Sequence, residues 1–338
     1  MKESLMHYLR CPDCRSELAL SVTARAEGEI ESGSLLCSPC AATFPIQAFI
    51  PRFVPESNYA ANFGAQWKRF GTTQIDSFAG NTISRDRFLA TTDWSESSVT
   101  GKVILDGGCG GGRFAEVALS LGAEVIAIDF SAAIDECRKN LRSSSLHCVQ
   151  ADIAKLPIAD RSVFAAYSMG VLQHTPDVRA SFAGVARVVA PGGSVIVDVY
   201  ELGKLRYLNS IYWYRPLLKH VPQDVLFGAV ERIVTTLQPL KDNLMTRFRG
   251  HPFLSVLTSM VIPINAHRYQ FPFLSPEQAR AWAILNTFDA YSPTYDQPQT
   301  PATMRAWARE LNLDGIEVFT KPGHGDGTAL VCRGVIKR

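Results

Sequence analysis

The sequence predicts an α/β fold built around a doubly wound, mostly parallel sheet of seven strands. Between residues 102 and 200, five short apolar runs alternate with segments whose apolar residues recur at helical spacing. After residue 300, one more helix and two more apolar runs follow. Because buried strands separated by helices pair in parallel, we expect helices on both faces of the sheet.

Each strand is a short apolar run bounded by polar residues or glycine. In chain order the runs are KVILD (102–106), EVIAID (124–129), LHCVQAD (146–152), VFAAYSMGV (163–171), SVIVDVY (194–200), GIEVFT (315–320) and TALVCRGVI (328–336). The intervening helices are RFAEVALSLG (113–122), AAIDECRKNL (132–141), VRASFAGVARVV (178–189) and TPATMRAWARELNL (300–313). The first has an apolar face of Phe114, Val117, Ala118 and Leu121, and the last begins at Thr300 as its N-cap.

The 338 residues suggest about two domains, and 46% apolar with 20% charged residues is ordinary for a globular protein. We divide the chain into a cysteine-rich module (1–55), a helical flap or linker (56–100), the α/β core (101–200 and 300–338) and a helical cap inserted after the fifth strand (201–299). Within the cap, Ser275 and Gln278 form a capping box that starts a helix.

Charge and hydropathy exclude several classes of protein. The net charge is +2, and only residues 201–250 lean basic, with eight Lys or Arg against four Asp or Glu, which argues against a DNA-binding surface. The longest apolar run, FLSVLTSMVIPINA, is too short to span a membrane and contains Pro263. The first residues lack an apolar signal core, and eight cysteines then suggest a reducing compartment, so we expect a cytoplasmic protein.

A glycine-rich turn, GGCGGG, joins the first strand to the first helix. Backbone N–H groups at a helix N-terminus bind polar or anionic ligand groups. A phosphate-binding P-loop ends in Lys and then Ser or Thr, whereas this turn ends in Arg113 and Phe114. The dinucleotide fingerprint G-x-G-x-x-A is satisfied by Gly110, Gly112 and Ala115, so the turn alone leaves that reading open.

Asp106 and the order of five motifs favour a different ligand. A carboxylate before the glycines opposes a pyrophosphate and suits a cationic ligand. The motifs LDGGCGGGRF, IDFS, VQADI, GVLQHTPD and VAPGGSVIV follow one another at intervals that resemble the class I S-adenosylmethionine-dependent methyltransferases, in particular the type-11 branch. The resemblance covers residues 100–200 closely and the closing strands loosely, and it implies a Rossmann-like methyltransferase sheet.

The resemblance implies a set of cofactor-binding residues. They are Asp106, Gly108, Gly110, Gly112, Asp129, Phe130, Asp152, Ile153 and Met169. The glycine turn would approach the methionine end of S-adenosylmethionine, with Asp106 near its amine. Asp129 would accept hydrogen bonds from both ribose hydroxyls, and Asp152 would meet the adenine amine while Ile153 packs on the ring.

Cys11-x-x-Cys14 and Cys37-x-x-Cys40, separated by twenty-two residues, predict a four-thiolate zinc site. A tetrahedral site closed by four sulfurs leaves no position for substrate, so the zinc would be structural. The alternative is a redox-active or disulfide-forming set. The module also resembles the zinc-ribbon leaders found ahead of some methyltransferases. The remaining cysteines read as buried small hydrophobes, namely Cys109, Cys137, Cys148 and Cys332.

Candidate catalytic residues lie after the fourth strand and in the cap. His174 is placed for a general base, with a structural histidine as the alternative. Residues 58–76 and 286–301 resemble segments of one uncharacterised branch of these enzymes. We interpret the first as a flap over the cofactor and the second as a substrate loop. The polar candidates of that loop are Asp289 and Tyr291, followed by Tyr295 and Asp296; packing and turn formation are the alternative for each.

These observations leave several functions open. The first is methylation of a small molecule (a sugar, a glycoconjugate precursor or a secondary metabolite), most readily on oxygen. The second is methylation of ribosomal RNA, because a zinc ribbon ahead of this fold resembles such enzymes, although the acidic N-terminal hundred residues disfavour RNA. The third is a non-catalytic S-adenosylmethionine-binding protein. The cap either closes the active site or, in a sharper interpretation, admits a lipid-linked acceptor at a membrane surface. The oligomeric state stays open.

Overall fold

The computed structural model describes residues 1–55, 60–203, 207, 209–248, 250–265, 271–322 and 328–338. The first two residues of the predicted flap segment (58–76) and most of the KPGHGDG turn (321–327) lie outside the described residues.

The cysteine-rich module is a small antiparallel sheet of four strands in sequence order. Its strands are β1 (Ala19–Ala26), β2 (Glu29–Leu36), β3 (Thr43–Gln47) and β4 (Ile50–Pro51). Two turns at one end of this sheet carry the two cysteine pairs. The following segment is helical, as predicted, with α1 (Ala61–Phe70), α2 (Asp76–Ala79), α3 (Ile83–Thr92) and α4 (Glu96–Val99).

The core is a seven-stranded sheet in which six strands run in one direction and one strand runs antiparallel to them, which confirms the predicted fold class. Its first part comprises β5 (Val103–Gly107), α5 (Arg113–Ser120), β6 (Glu124–Asp129), α6 (Ala133–Asn140), β7 (Leu146–Gln150), β8 (Ala165–Met169), α7 (Val178–Arg187) and β9 (Ser194–Tyr200). The cap follows with α8 (Ser210–Leu218), α9 (Gln223–Arg247), α10 (Pro252–Val261) and α11 (Pro276–Tyr291). The chain then returns to the sheet through α12 (Pro301–Glu310), β10 (Leu313–Pro322) and β11 (Thr328–Ile336).

The strands lie in the order β10-β11-β9-β8-β5-β6-β7. β11 pairs antiparallel with both β9 and β10, whereas the other neighbours are parallel. Two strands are shorter than predicted. β7 ends at Gln150 because Asp152 caps a 3₁₀ turn, and β8 ends at Met169 because Gly170 has a positive φ.

One apolar core joins the cysteine-rich module to the seven-stranded sheet. Leu5, Leu9 and Ile46 of the module belong to the same buried cluster as Val149 and Ile158. Backbone bonds reinforce this junction, since the Arg10 N–H donates to Pro157 and the Phe53 N–H donates to Gln150. Residues 52–53 thereby cover the free edge of β7, a place where an unpaired strand would invite aggregation.

The cap has its own apolar core, formed mainly by α9 and α11. The predicted capping box at the start of α11 is confirmed: the Gln278 N–H donates to the Ser275 hydroxyl, and the Gln278 side chain accepts from the Ser275 N–H. Across the described part of the chain, no helix combines the length and the apolar character that crossing a bilayer requires.

Candidate active site

A cavity of about 970 Å³ lies at the carboxyl ends of the central strands, between the sheet and the cap. The glycine turn after β5 forms one wall, through Gly108 and Gly110. A side chain at Gly110 would lie 2.8 Å from the indole of Trp67, and Gly112 starts α5 with a φ of +100°. Only glycine tolerates both the close approach of the indole and the positive φ without strain. The turn therefore presents a bare backbone to the cavity.

Asp106 lies at the end of β5, 2% exposed, rather than among the lining residues. Burial raises the pKa of its carboxyl group to about 8, and the neighbouring Tyr167 hydroxyl only partly offsets this. Within the described residues, its Oδ2 atom has no hydrogen-bond partner. A buried carboxyl oxygen without a donor is a site that a cationic ligand group would satisfy.

Asp129 lines the cavity at the end of β6 and is already hydrogen-bonded. Its Oδ1 accepts from the N–H and the hydroxyl of Ser131, at 2.8 and 2.7 Å, and its Oδ2 accepts from the Gly110 N–H at 2.9 Å. Burial raises the pKa of Asp129, and these three bonds oppose that rise. Since a carboxylate accepts about four hydrogen bonds, two ribose hydroxyls would require one of the present bonds to open.

The other predicted cofactor residues divide into two groups. Phe130, Ile153 and Met169 line the same cavity beside Asp129. Asp152 and Gly112 do not contribute to its wall among the described residues: the Asp152 carboxylate accepts from the Ala154 N–H at 2.8 Å and caps the 3₁₀ turn. This bond occupies only Oδ1, so Asp152 could keep its cap and still accept a hydrogen bond from an adenine amine through Oδ2.

The predicted flap covers the glycine turn. Trp67 of α1 lines the cavity, and its indole lies against the backbone of Gly110 and Gly111. On the same helix, Phe63 packs with the imidazole of His174, with ring centroids 5.6 Å apart. One short helix thus contacts both the proposed cofactor wall and the proposed base.

His174 lines the cavity in a 3₁₀ turn after β8 and is 6% exposed. Its Nδ1 lies 3.0 Å from the carbonyl oxygen of Tyr295. Since a carbonyl only accepts, Nδ1 carries the hydrogen, and the neutral ring keeps its lone pair on Nε2. The Nε2 atom is buried and has no hydrogen-bond partner in the part of the chain that the structure describes.

The predicted substrate loop is helical over its first six residues, 286–291, which end α11, and its remaining part packs onto this histidine. The Gln297 side chain donates to the Thr175 carbonyl at 2.7 Å, and Asp296 lines the cavity. Asp289 also lines it and accepts a hydrogen bond from the Tyr200 hydroxyl at 3.3 Å. Burial raises the pKa of Asp289, while the hydrogen bond from the Tyr200 hydroxyl opposes this rise.

Tyr291 does not join this arrangement. It is 5% exposed within the cap core, and its hydroxyl donates to the Pro263 carbonyl at 2.7 Å. The side chain follows Asp289 by two residues on a helix, which directs it to a different face. The structure therefore gives no support to a catalytic role for Tyr291.

Several polar residues of the cavity wall carry no sequence signal. The Arg87 guanidinium donates to Asp198 at 2.7 Å, and both side chains line the cavity. Arg113 is buried in the wall and donates to Ser84 and Gln74. These residues come from α3, β9 and α5, so only the assembled sheet brings them together.

The cap supplies the apolar part of the wall. Its contributors are Ile211, Met245, Val256, Met260 and Leu285. Arg215 of α8 holds the neighbouring loop in place, because its guanidinium donates to the carbonyls of Ala290 and Pro293, both at 2.7 Å.

The four module cysteines have the geometry of a zinc site. Their sulfur atoms all lie within 4.8 Å of one another, and the Cys11–Cys40 and Cys14–Cys37 pairs are 3.6 and 3.3 Å apart. A tetrahedron with zinc–sulfur bonds of about 2.3 Å has edges of about 3.8 Å. The donor set therefore fits zinc. The other four cysteines are free and buried, as predicted.

Comparison with known proteins finds two family matches in separate parts of the chain. Residues 105–197 match the family described as a methyltransferase domain, and residues 2–47 match the family described as Trm112p-like protein.

Two curated relatives are O-methyltransferases. One is the malonyl-[acyl-carrier protein] O-methyltransferase of Serratia marcescens, 27% identical over 48% of this chain and 63% of the relative. Another is the ubiquinone biosynthesis O-methyltransferase of Alkalilimnicola ehrlichii, 35% identical over 36% of this chain and 51% of the relative. The chain thus spans about half to two thirds of the length of these relatives.

Among solved structures, a Burkholderia thailandensis 1,6-didemethyltoxoflavin-N1-methyltransferase aligns over 95% of this chain and all of its own, with 13% identity and a TM-score of 0.45.

Three features of the structure agree with the match over residues 105–197. They are the bare glycine turn, the acids at the ends of β5 and β6, and the order of the seven strands. The sequence match also decides between the two nucleotide readings of the glycine turn. The chain therefore carries a class I S-adenosylmethionine-dependent methyltransferase domain behind an N-terminal four-cysteine zinc ribbon of the Trm112p-like type.

Proposed function

We propose that this protein transfers a methyl group from S-adenosylmethionine to a hydroxyl group of a small-molecule acceptor. When bound, S-adenosylmethionine supplies a methyl group made electrophilic by its sulfonium. The observation that carries the proposal is the imidazole of His174, whose unpartnered Nε2 is buried at the wall of the cavity that the glycine turn also lines.

The chain's own residues would hold the cofactor at the glycine wall. Gly108 and Gly110 permit close approach, Asp129 meets the ribose, and Phe130 and Ile153 pack on the nucleoside. Asp106 satisfies its buried carboxyl oxygen with the ammonium group of the methionine end. A cationic group lowers the pKa of this carboxyl, which then ionises on binding.

His174 would act as the general base. The Tyr295 carbonyl fixes its tautomer, so that Nε2 can accept the proton of the acceptor hydroxyl. Asp289 and Tyr200 would orient this hydroxyl, because both line the cavity and share a hydrogen bond. The cap and α1 would exclude water, which serves the alignment of donor and acceptor.

The acceptor class rests on the cavity and on the relatives. The two curated relatives are named as O-methyltransferases, which supports oxygen as the methylated atom. The wall combines an apolar cap side with the polar group of His174, Tyr200 and Asp289. This combination favours an acceptor with a hydroxyl at one end and an apolar body.

Methylation of RNA is the second candidate, and the Trm112p-like module is the observation in its favour. Charge disfavours it, because the first hundred residues are net acidic.

We also propose a cytoplasmic location. The free cysteines agree with the reducing conditions of that compartment.

The test has two stages and uses the full chain. Calorimetric titration with S-adenosylhomocysteine should give a 1:1 complex, whereas NAD should not bind. Radiolabelled methyl transfer from S-adenosylmethionine into a cell extract is then followed in the small-molecule, RNA and protein fractions. We expect label in the small-molecule fraction only.

His174→Asn is the matched variant, because an amide retains a donor for the Tyr295 carbonyl but cannot act as the base. Its transfer rate should fall about 10²- to 10⁴-fold, with the binding of S-adenosylhomocysteine unchanged. If label appears in the RNA fraction, and its transfer weakens as salt is added, RNA methylation would replace small-molecule methylation as the proposed function. Binding without transfer to any fraction would instead indicate a non-catalytic cofactor-binding protein.

A further inference from the structure

Two neighbouring helices of the cap, α8 and α10, expose large apolar side chains on the outside of the molecule. They contact each other, so their exposed residues form one surface. We call this surface the outer apolar face; it consists of Trp213, Tyr214 and Leu217 of α8 with Phe253, Leu257 and Val261 of α10. Phe253 and Leu217 are 77 and 75% exposed, and a group of large apolar side chains this exposed is unusual on a folded protein.

The outer apolar face is continuous with the cavity. The inner sides of the same helices line it, through Tyr212 and Arg215 of α8 and Ser259 and Met260 of α10. Val256 belongs to both surfaces, since it lines the cavity and is 41% exposed. A molecule held against the outer face therefore lies next to a residue of the cavity wall.

The two helices of this face carry no acidic residue, and the exposed Asp224 lies in the first turn of α9, shortly after α8. Exposed basic groups stand at the helix ends, with Lys219 and His220 after α8 and Arg247 and His251 before α10. Tryptophan and tyrosine beside basic residues are typical of surfaces that lie in the headgroup region of an anionic bilayer.

The lengths of the helices suit an interfacial position. At a rise of about 1.5 Å per residue, α10 is about 15 Å long, half the thickness of a hydrocarbon core. A helix this short cannot span, but it can lie in the membrane plane with Phe253, Leu257 and Val261 directed into the lipid, because their i, i+4, i+8 spacing places them on one side.

We propose that the outer apolar face docks the cap onto an anionic membrane surface, and that the methyl acceptor is an amphiphile whose apolar chain passes from the bilayer between α8 and α10. The docking stands on the exposed residues alone, whereas the acceptor class rests on the proposed function.

Vesicle flotation of the full chain tests the docking. The probes are vesicles of phosphatidylcholine alone and of equal parts phosphatidylcholine and phosphatidylglycerol. We expect binding to the anionic vesicles to exceed binding to the neutral ones by about tenfold or more, and to weaken as salt is added. The double variant Phe253→Gln, Leu257→Gln should lose about tenfold or more of this binding.

Phe78→Gln is the control, because Phe78 is 59% exposed on α2, outside the cap. It should bind vesicles as the unmodified chain does. Calorimetry with S-adenosylhomocysteine verifies that each variant is folded. Vesicle binding by an unmodified chain that does not bind S-adenosylhomocysteine would uphold the docking and reject the proposed function, so the two failures are distinguishable.

Two outcomes would overturn the docking. One is an unmodified chain that stays in the unbound fraction with both vesicle types. The other is a chain that dimerises in sedimentation velocity through the outer apolar face, with the double variant monomeric and no vesicle binding in either form. The second outcome would assign the face to a second copy of the chain.

Discussion

At the residue scale, burial without a partner makes Asp106 a weak acid. In the unfolded chain an aspartate ionises near pH 4, whereas in the folded protein the pKa of Asp106 is about 8. Between these values the folded chain holds one more proton than the unfolded chain. The free energy of unfolding therefore falls as pH rises through this window, by up to about 1.4 kcal/mol per pH unit, and the fall ends above pH 8.

We predict that Asp106→Asn removes this part of the pH dependence. Urea unfolding of the ligand-free chain between pH 5 and 8 should show a falling stability that is flatter in the variant, because an amide does not ionise. Asp86→Asn, at an exposed carboxylate of α3, should leave the slope unchanged. Equal slopes in all three proteins would show that Asp106 is ionised in the folded state.

The same residue links cofactor binding to proton release. If the cofactor ammonium group lies beside Asp106, binding at pH 7 should release about one proton, because the carboxyl group ionises. Calorimetric titration with S-adenosylhomocysteine in buffers of different ionisation enthalpy measures this number. It should fall to near zero in Asp106→Asn, and a release that the variant retains would place the ammonium group elsewhere.

At the element scale, α1 connects parts of the site that are distant in sequence. Trp67 covers Gly110 and Gly111, Phe63 packs on His174, and Phe70 packs on Phe227 of the cap. The helix is only ten residues long and has no side-chain hydrogen bond at its N-cap. Helices of this length are held by packing rather than by their own stability, so α1 depends on the surfaces that it covers.

We predict that Trp67→Ala accelerates the dissociation of S-adenosylhomocysteine about tenfold or more, because the indole covers the wall that holds it. Stopped-flow fluorescence measures the rate through the tryptophans that remain or through a labelled analogue. Lys68→Ala, an exposed neighbour on the same helix, is the control. An unchanged dissociation rate in Trp67→Ala would show that α1 does not act as a flap.

At the scale of the whole molecule, the zinc ribbon and the methyltransferase domain share one apolar core. Sequence composition suggests a small module held together by its metal, whereas the structure shows Leu5, Leu9 and Ile46 packed against the sheet next to Val149. Loss of the metal would therefore loosen residues that cover the β7 edge as well as the module itself.

We predict that chelation of zinc, or the variant Cys14→Ser, lowers the Tm of the entire chain by about 10 °C in a single transition. Differential scanning calorimetry measures the transition, and added zinc should restore the Tm of the chelated protein. Ser38→Ala changes an exposed residue of the second cysteine knuckle that is not a ligand, and it should have no effect. Two separate transitions would contradict a shared core.

The sequence by itself determined the elements of this protein and the chemistry of its motifs. Strand and helix periods, the capping box at Ser275 and the x-x spacing of the cysteine pairs depend on neighbours within a few residues. Local periodicity, capping and ligand spacing are short-range properties, so they can be read along the chain. The glycine turn and the acids that end β5 and β6 belong to the same class, because each lies at a strand end.

Only the tertiary structure decided which side chains meet across elements. Three contacts of the site join residues between 43 and 121 positions apart. They are the bond of His174 to the Tyr295 carbonyl, the Arg87–Asp198 pair and the packing of Trp67 over Gly110. The exclusion of Tyr291 from the cavity and the outward face of α8 and α10 depend on how the cap helices rotate as they pack. Such contacts arise from the docking of whole surfaces, which leaves no local pattern in the sequence.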